Sequence, residues 1–239
     1  MSYDLLSKYY DASVGFDYEA YFGFIKGFLP PKGRGLDVAC GSGTLTVMLA
    51  RHGFEMTGTD ASPGMLNEAR RKCSAAGVKC LLLEGDLNAF GTDKTYDFII
   101  SSCDGLNYVK SEAKLERLLG AFRSALTEDG VLIFDISTLY KAKEVLDGNV
   151  FFDDTDDYTL LWTNEYSGGR VRTDVTVFEK EQKYYKRYDE SFDQYFYTAE
   201  TVRRLLDGRG FSFAEYDGET FGRFNDKSQR LLVVARKRG

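Results

Sequence analysis

Apolar residues at Tyr18, Tyr21, Phe22, Ile25, Phe28 and Leu29 fall on one face of a helix, and Pro30-Pro31 stops it. After this opening helix over 17–29 the pattern alternates between two periods. Short, nearly continuous apolar runs at 35–40, 54–59, 78–83, 96–101 and 131–136 predict strands. Between them come helical faces. One covers Thr44 to Arg51, with Gly53 suited to the left-handed position past its end. A second opens at Ser62-Pro63, a capping hydroxyl followed by a proline preset for the first turn. It buries Met65, Leu66, Ala69 and Cys73 and ends at Gly77. A third carries Leu115, Leu118, Leu119, Phe122 and Leu126 and is expected to close at Gly130. Strands that alternate with helices and are apolar on both faces argue a doubly wound, mostly parallel α/β sheet.

Near residue 150 the period becomes two. Tyr158, Leu160, Trp162 and Tyr166 alternate, Ser167-Gly168-Gly169 turns the chain, and Val171, Thr173, Val175 and Val177 alternate again. A third run follows around Tyr184, Lys186 and Tyr188. These are antiparallel hairpins, so 150–197 reads as a small sheet inserted in a core made of 1–149 and 198–239. Asp153 to Asp157 reads as a solvated acidic loop. Helical spacing returns after Thr198 (Val202, Leu205, Leu206), and two closing strands, 211–216 and 230–235, bring the main sheet to seven.

Composition narrows the function. The chain has 239 residues, 43% hydrophobic and 28% charged, and 35 of them are aromatic, which excludes a solvated disordered chain. No apolar run reaches a membrane span, and the N-terminus lacks a basic patch followed by an apolar stretch, so a cytoplasmic protein is expected. The net charge of −6 weighs against nucleic acid. The cysteines, Cys40, Cys73, Cys80 and Cys103, have no zinc-site spacing and read as reduced thiols. A single histidine, His52, sits where a helix cap belongs; a His-based metal site or dyad is excluded, and no metal is expected.

The candidate chemistry starts where the first strand runs into Gly41-Ser42-Gly43 and a helix, and Asp60 ends the second strand about twenty residues later. Glycines let the backbone approach a ligand closely, and an acid at that strand tip can accept from both hydroxyls of a ribose. Dinucleotide sites place a third glycine three residues after the second, where this chain has Thr46. Asp37, inside the first strand, would repel a pyrophosphate but suits a cationic ligand.

Asp37-Val38-Ala39-Cys40-Gly41-Ser42-Gly43 resembles the first motif of the class I, Rossmann-like S-adenosylmethionine-dependent methyltransferases, with Ala39 in place of its first glycine. The resemblance spans about residues 34–137 and resumes from 198. It implies S-adenosyl-L-methionine as cofactor and S-adenosyl-L-homocysteine as product. It also implies that Asp60 holds the ribose, that Ala61 and Ser62 to Met65 line the adenine, and that Asp86 and Leu87 meet its amine edge. Ser102-Cys103-Asp104 would flank the methionine part and open on the acceptor.

Tyr9-Tyr10-Asp11 and Asp17-Tyr18 look like the tyrosine-bearing cover of small-molecule methyltransferases such as the glycine and amino-sugar N-methyltransferases. Tyr10 and Tyr18 are its expected ligand contacts. Within 150–197 there are six basic and eleven acidic side chains and 13 aromatic ones, a combination able to attract an amine or simply to make an ordinary solvated sheet. Some similar proteins carry a histidine where this chain reads Asp189-Glu190-Ser191-Phe192-Asp193, so a histidine base is not expected. Asp104, Tyr108 and Tyr10 are the candidate catalytic residues.

The expectation is thus a methyltransferase, monomeric or homodimeric, acting on a small-molecule methyl acceptor, an amine ahead of a hydroxyl. An RNA methyltransferase lacks support in the charge balance and in Ser102-Cys103-Asp104-Gly105, which is not the Asn/Asp-Pro-Pro-aromatic motif. A nicotinamide oxidoreductase is opposed by Thr46 and Asp37. A non-catalytic cofactor sensor would differ only in lacking turnover.

Overall fold

The structure, a computed structural model, describes residues 6–13 and 15–239; residues 1–5 and 14 of the expected cover lie outside them. Eleven strands form two sheets. They are β1 (Arg34–Val38), β2 (Glu55–Asp60), β3 (Cys80–Glu84), β4 (Tyr96–Ser101), β5 (Leu126–Ser137), β6 (Val150–Asp154), β7 (Tyr158–Ser167), β8 (Arg170–Glu181), β9 (Tyr184–Tyr195), β10 (Phe211–Asp217) and β11 (Arg230–Lys237). The main sheet has the order β10-β11-β5-β4-β1-β2-β3. Its pairs are parallel except that β11 runs antiparallel to both β5 and β10.

Alternate residues of the central strands serve opposite layers. Leu36, Val38, Ile99, Leu132, Phe134 and Val233 pack with α5 (Glu112–Ala125) and α6 (Ala199–Gly208). Phe98, Ile100, Val131, Ile133 and Leu232 pack with α2 (Tyr18–Ile25) and α3 (Thr44–Arg51). Full burial of one such side chain is worth about 1.5–3 kcal/mol. The helix starts follow their caps: Ser62 accepts from the Met65 N–H at 3.2 Å to open α4 (Pro63–Ala76), and Asp17 accepts from the Ala20 N–H at 2.9 Å to open α2. A short helix, α1 (Tyr10–Ser13), precedes them.

Two expectations are corrected. Gly130 does not close α5: the helix ends at Ala125, Leu126 is already extended (φ −80°, ψ 145°), and Gly130 lies inside β5 where the ladder shifts register. A Cβ on Gly130 would come within 3.0 Å of the Leu126 side chain, so the glycine serves that irregularity rather than a cap. Asp153 and Asp154 are not in a loop. They end the edge strand β6, paired with β7, and the Asp153 carboxylate accepts from the Tyr158 hydroxyl at 2.7 Å.

The second sheet, β6-β7-β8-β9, is antiparallel throughout. Leu160, Val175 and Val177 on its inner face pack against Leu6 and Tyr9 of the N-terminal segment. Asn107 ties this sheet to the main one: its amide donates to the Tyr195 carbonyl at 3.0 Å and its side-chain oxygen accepts from the Ser137 N–H at 2.8 Å. Among the described residues no helix is long and apolar enough to cross a membrane.

Candidate active site

Strand order reverses between β4 and β1, the place where open α/β sheets leave a crevice at their carboxyl ends. A cavity of about 560 Å³ opens there, walled by the segments that leave β1, β2, β3 and β4. The first is the turn Ala39-Cys40-Gly41, pinned when the Asp60 carboxylate accepts from the Gly41 N–H at 2.9 Å and from the Ser62 N–H at 2.9 Å. Burial raises the Asp60 pKa, and these backbone donors pull against that rise. Ala39 (φ 56°) and Gly41 (φ 53°) both adopt the left-handed region, and a Cβ on Gly41 would meet nothing within 4 Å. The position where the family motif has glycine therefore needs that backbone, and Ala39 adopts it at a cost of about 1 kcal/mol.

Of the residues singled out from sequence, Tyr10, Tyr18, Ala39, Gly41, Asp60, Ala61, Met65, Asp86, Leu87, Cys103 and Tyr108 line this one cavity. Asp37, Gly43 and Asp104 do not. Gly43 (φ 76°) lies against α4, where a Cβ would sit 2.6 Å from that of Ala69, so it allows close helix packing. Asp37 is 1% exposed; its Oδ2 accepts from the Thr46 hydroxyl at 2.5 Å and its Oδ1 has no partner among the described residues. Thr46 thus supports Asp37, a role its sequence position did not disclose.

Burial pushes the Asp37 pKa up to about 7. The native chain then holds a proton that the unfolded chain releases, so the associated stability is full below about pH 4 and is lost as pH rises through about 7. Asp37→Asn is expected to remove that slope, which amounts to about 2–3 kcal/mol between pH 5 and pH 8. Urea titrations of both proteins at pH 5 and pH 8 check this, and parallel slopes would refute it.

Cys40 of the first motif also lines the cavity, as do Glu84, Asn88, Gly105 and Lys110, which the sequence did not single out. Asn88 organises the acidic corner. Its amide donates to Asp86 Oδ1 at 2.9 Å and to the Tyr108 carbonyl at 3.2 Å, and its oxygen accepts from the Lys110 N–H at 3.0 Å. Its only sequence signal was its place two residues after Asp86.

The N-terminal segment forms the roof. Asp11 accepts from Ser42 Oγ at 2.6 Å and forms an ion pair with Lys72, whose Nζ also donates to Ser42 and Thr44. This clasp holds Tyr10 over the cavity, while the Tyr18 hydroxyl donates to Cys103 Sγ at 3.9 Å. Burial pushes the Cys103 thiol up to about 12, so it stays protonated and is no nucleophile.

A second cavity of about 320 Å³ lies between the main sheet and the small one. It shares Tyr10, Cys103 and Tyr108 with the first, so these three residues form the junction. Asp104 belongs here. Cys103 (φ 58°) and Asp104 (φ 63°) are successive left-handed residues, fixed by the buried Asp135, whose carboxylate accepts from their N–H groups at 3.1 and 2.8 Å. Arg230 bridges Asp135, at 2.5 Å, and Asp104, and Lys141 approaches Asp104 at 3.5 Å. Burial alone would raise the Asp104 pKa, but Arg230 and Lys141 together hold it below the usual carboxylate range. His52 lies outside both cavities, its Nδ1 2.8 Å from the Met48 carbonyl and its ring packed on Phe22.

The first cavity tests which cofactor fits. Asp60, Glu84 and Asp86 line it against Lys110 alone. Three carboxylates and one ammonium repel a pyrophosphate and accept a cationic ligand whose sugar offers hydroxyls to Asp60. Comparison with known proteins agrees. A family model described as a methyltransferase domain matches residues 36–130. The chain is 32% identical over 244 positions to the Bacillus subtilis (strain 168) protein named "Putative methyltransferase YqeM", covering 99% of this chain and 98% of that protein. An S-adenosylmethionine-dependent methyltransferase from Clostridium acetobutylicum superposes with a TM-score of 0.89 at 27% identity, covering 99% of each chain. The amino pentose methyltransferase CalS10 from Micromonospora echinaspora shares the fold, with a TM-score of 0.75 at 20% identity over 95% of this chain and 96% of that one. The chain belongs to the class I S-adenosylmethionine-dependent methyltransferases. The cofactor of that family is S-adenosylmethionine.

Proposed function

We propose that this protein methylates a small molecule bound in the second cavity, at a nitrogen that is unprotonated when it reacts. The observation that carries this reading is the junction of the two cavities. Its polar side chains are Tyr10, Cys103 and Tyr108, neither cavity contains a histidine, and the adjacent acid, Asp104, is committed to Arg230 and Lys141. A carboxylate held below its usual range is a weak base, so the nucleophile must reach neutrality without much help. An amine with a pKa near neutral does so; an aliphatic alcohol does not. KedS8, named a sugar N-methyltransferase, and CalS10, named an amino pentose methyltransferase, share the fold, which is compatible with this reading.

In this reading Asp60 would accept from the ribose hydroxyls. Met65, Leu87 and Ala61 would wall the adenine, with Asp86 at its amine edge, and the Ala39–Gly41 turn would hold the methionine part. Asp37 and Gly43 support that turn from behind. S-adenosylmethionine supplies a methyl group activated on a sulfonium. An acceptor nitrogen that arrives neutral would take that methyl group on its own lone pair and leave its proton to solvent, since Asp104 is engaged by Arg230 and Lys141. The chain's own contribution is alignment and exclusion of water. The tyrosine cover closes one side, and the inserted sheet of 150–197 serves as the acceptor-side wall. Tyr108 orients the nucleophile at the junction.

Calorimetric titration with S-adenosylmethionine and S-adenosylhomocysteine, with NAD as control, tests the cofactor site. Binding of the first two at micromolar concentration and silence to NAD are expected; the reverse sinks the proposal. Methyl transfer from radiolabelled cofactor to a panel of primary and secondary amines then tests the acceptor. Tyr108→Phe is expected to lower kcat about threefold to tenfold while leaving S-adenosylhomocysteine affinity unchanged, the size of one neutral hydrogen bond. Equal loss of affinity and turnover would place Tyr108 in cofactor binding instead.

A further inference from the structure

We infer that the second cavity selects an acceptor that combines a flat apolar body with an anionic group, carboxylate-like in its chemistry, and that Lys141 is the residue that reads the anion. The inference rests on the proposed function in taking this cavity as the acceptor site. Three independent features of the cavity carry it.

The first is the balance of donors and acceptors. The Asp104 carboxylate already faces Arg230 through both guanidinium nitrogens and Lys141 besides, and Asp135 is filled by Arg230 and two backbone N–H groups. Both acids thus already face cations of the chain itself. Lys141 Nζ carries three donors, and among the described residues it meets Ser137 Oγ at 3.1 Å and Asp104 Oδ2 at a long 3.5 Å. Asn164 adds to this: its oxygen accepts from Thr173 at 2.8 Å, while its amide reaches the Asn149 carbonyl only at 3.5 Å. Lys141 and Asn164 thus present N–H groups with room for another acceptor, which suits an anion better than an ammonium.

The second feature is local backbone. Lys141 opens a π-helical turn, Lys141–Leu146, closed by the Asp147 N–H on the Ala142 carbonyl at 3.0 Å. Such turns are rare and concentrate at functional sites. This one aims Lys141, Val145 and Leu146 at the same cavity. The third is the opposite wall, where Phe151, Trp162 and Phe192 supply aromatic faces for a planar body.

Trp162 is the protein's single tryptophan and lines this cavity, so its fluorescence reports occupancy directly. With S-adenosylhomocysteine saturating, benzoate, benzamide and benzylamine serve as probes of one shape and three charges. Benzoate is expected to perturb Trp162 at least about tenfold more tightly than benzylamine, in keeping with one charge-assisted hydrogen bond. Lys141→Met should remove that preference while leaving benzamide within about twofold, and Lys141→Arg should restore it. Melting temperatures confirm that the variants fold. Benzylamine binding as well as benzoate, an unchanged preference in Lys141→Met, or no response to any probe up to about 10 mM would each overturn the inference. Failure of S-adenosylhomocysteine itself to bind would instead overturn the methyltransferase reading, so the two failures are distinguishable.

Discussion

Replacing Asp60 with alanine is expected to weaken S-adenosylhomocysteine binding by at least about a hundredfold. The carboxylate has two duties at once. It accepts from the Gly41 and Ser62 N–H groups, which fixes the turns leaving β1 and β2, and it retains acceptor capacity toward the cavity it lines. Two ribose hydroxyls donating to a charged acceptor are worth about 1.5–3 kcal/mol each, and their loss accounts for a factor of a hundred to ten thousand. Asp60→Asn keeps one acceptor oxygen and should lose less. Because burial raises the Asp60 pKa, affinity should also begin to fall, on acidification, at a higher pH than an ordinary aspartate would give. Calorimetry from pH 8 down to pH 5 measures both effects. Full affinity in Asp60→Ala would remove Asp60 from the site.

Arg230→Met should be the most destabilising single change outside the apolar core, by about 3–5 kcal/mol, because it strands buried carboxylates without their cation. The Arg230 side chain is 9% exposed, and those of its partners Asp104 and Asp135 are 14% and 0% exposed. The two acids differ in what the arginine does for them. Asp104 is held below the usual range, so the stability it contributes is present above its unfolded pKa and fades as pH falls through the lower, folded value. Asp135 is raised, chiefly by burial, in spite of Arg230. Without the arginine both acids favour protonation, so the deficit should be largest at neutral and alkaline pH and shrink on acidification. Adding Asp135→Asn to Arg230→Met should recover part of the loss, since a neutral amide replaces the more deeply buried charge. Urea titrations at pH 7.5 and 5.5 check the sign; a deficit that grows on acidification would contradict it. Lys141→Met, whose contact with Asp104 is the longer one, should cost much less.

These residues also show where sequence reasoning stopped. The 3.6-residue period placed Met65, Leu66, Ala69 and Cys73 on the buried face of α4, and Ser62 and Gly77 marked its ends, because those signals act within a few residues of one another. The strand tips were legible for a similar reason. In a βαβ unit the ends of neighbouring parallel strands must meet, so Gly41, Asp60 and Asp86 converge once the strands are found. The ends of α5 and the pairing of β6 were not legible. Leu126 leaves the helix in extended backbone without a glycine, and Asp153 is held in a strand by its pairing partners rather than by its own acidic character.

The chain alone thus determined the doubly wound core and the inserted antiparallel sheet, since periodicity and caps are local properties, and the family resemblance carried by the Asp37–Gly43 string implied the cofactor class. Tertiary structure decided which acids remain available. Asp37 turned out to be walled off behind Thr46, Asn88 to organise the Asp86 corner, and Asp104 to be tied up by Arg230, 126 residues away in sequence. It also built the second cavity, by laying the inner face of β7 and β8 across from the π-helical turn at Lys141. Charge compensation and cavity shape depend on groups brought together from distant parts of the chain, and no spacing rule within a strand or helix encodes them.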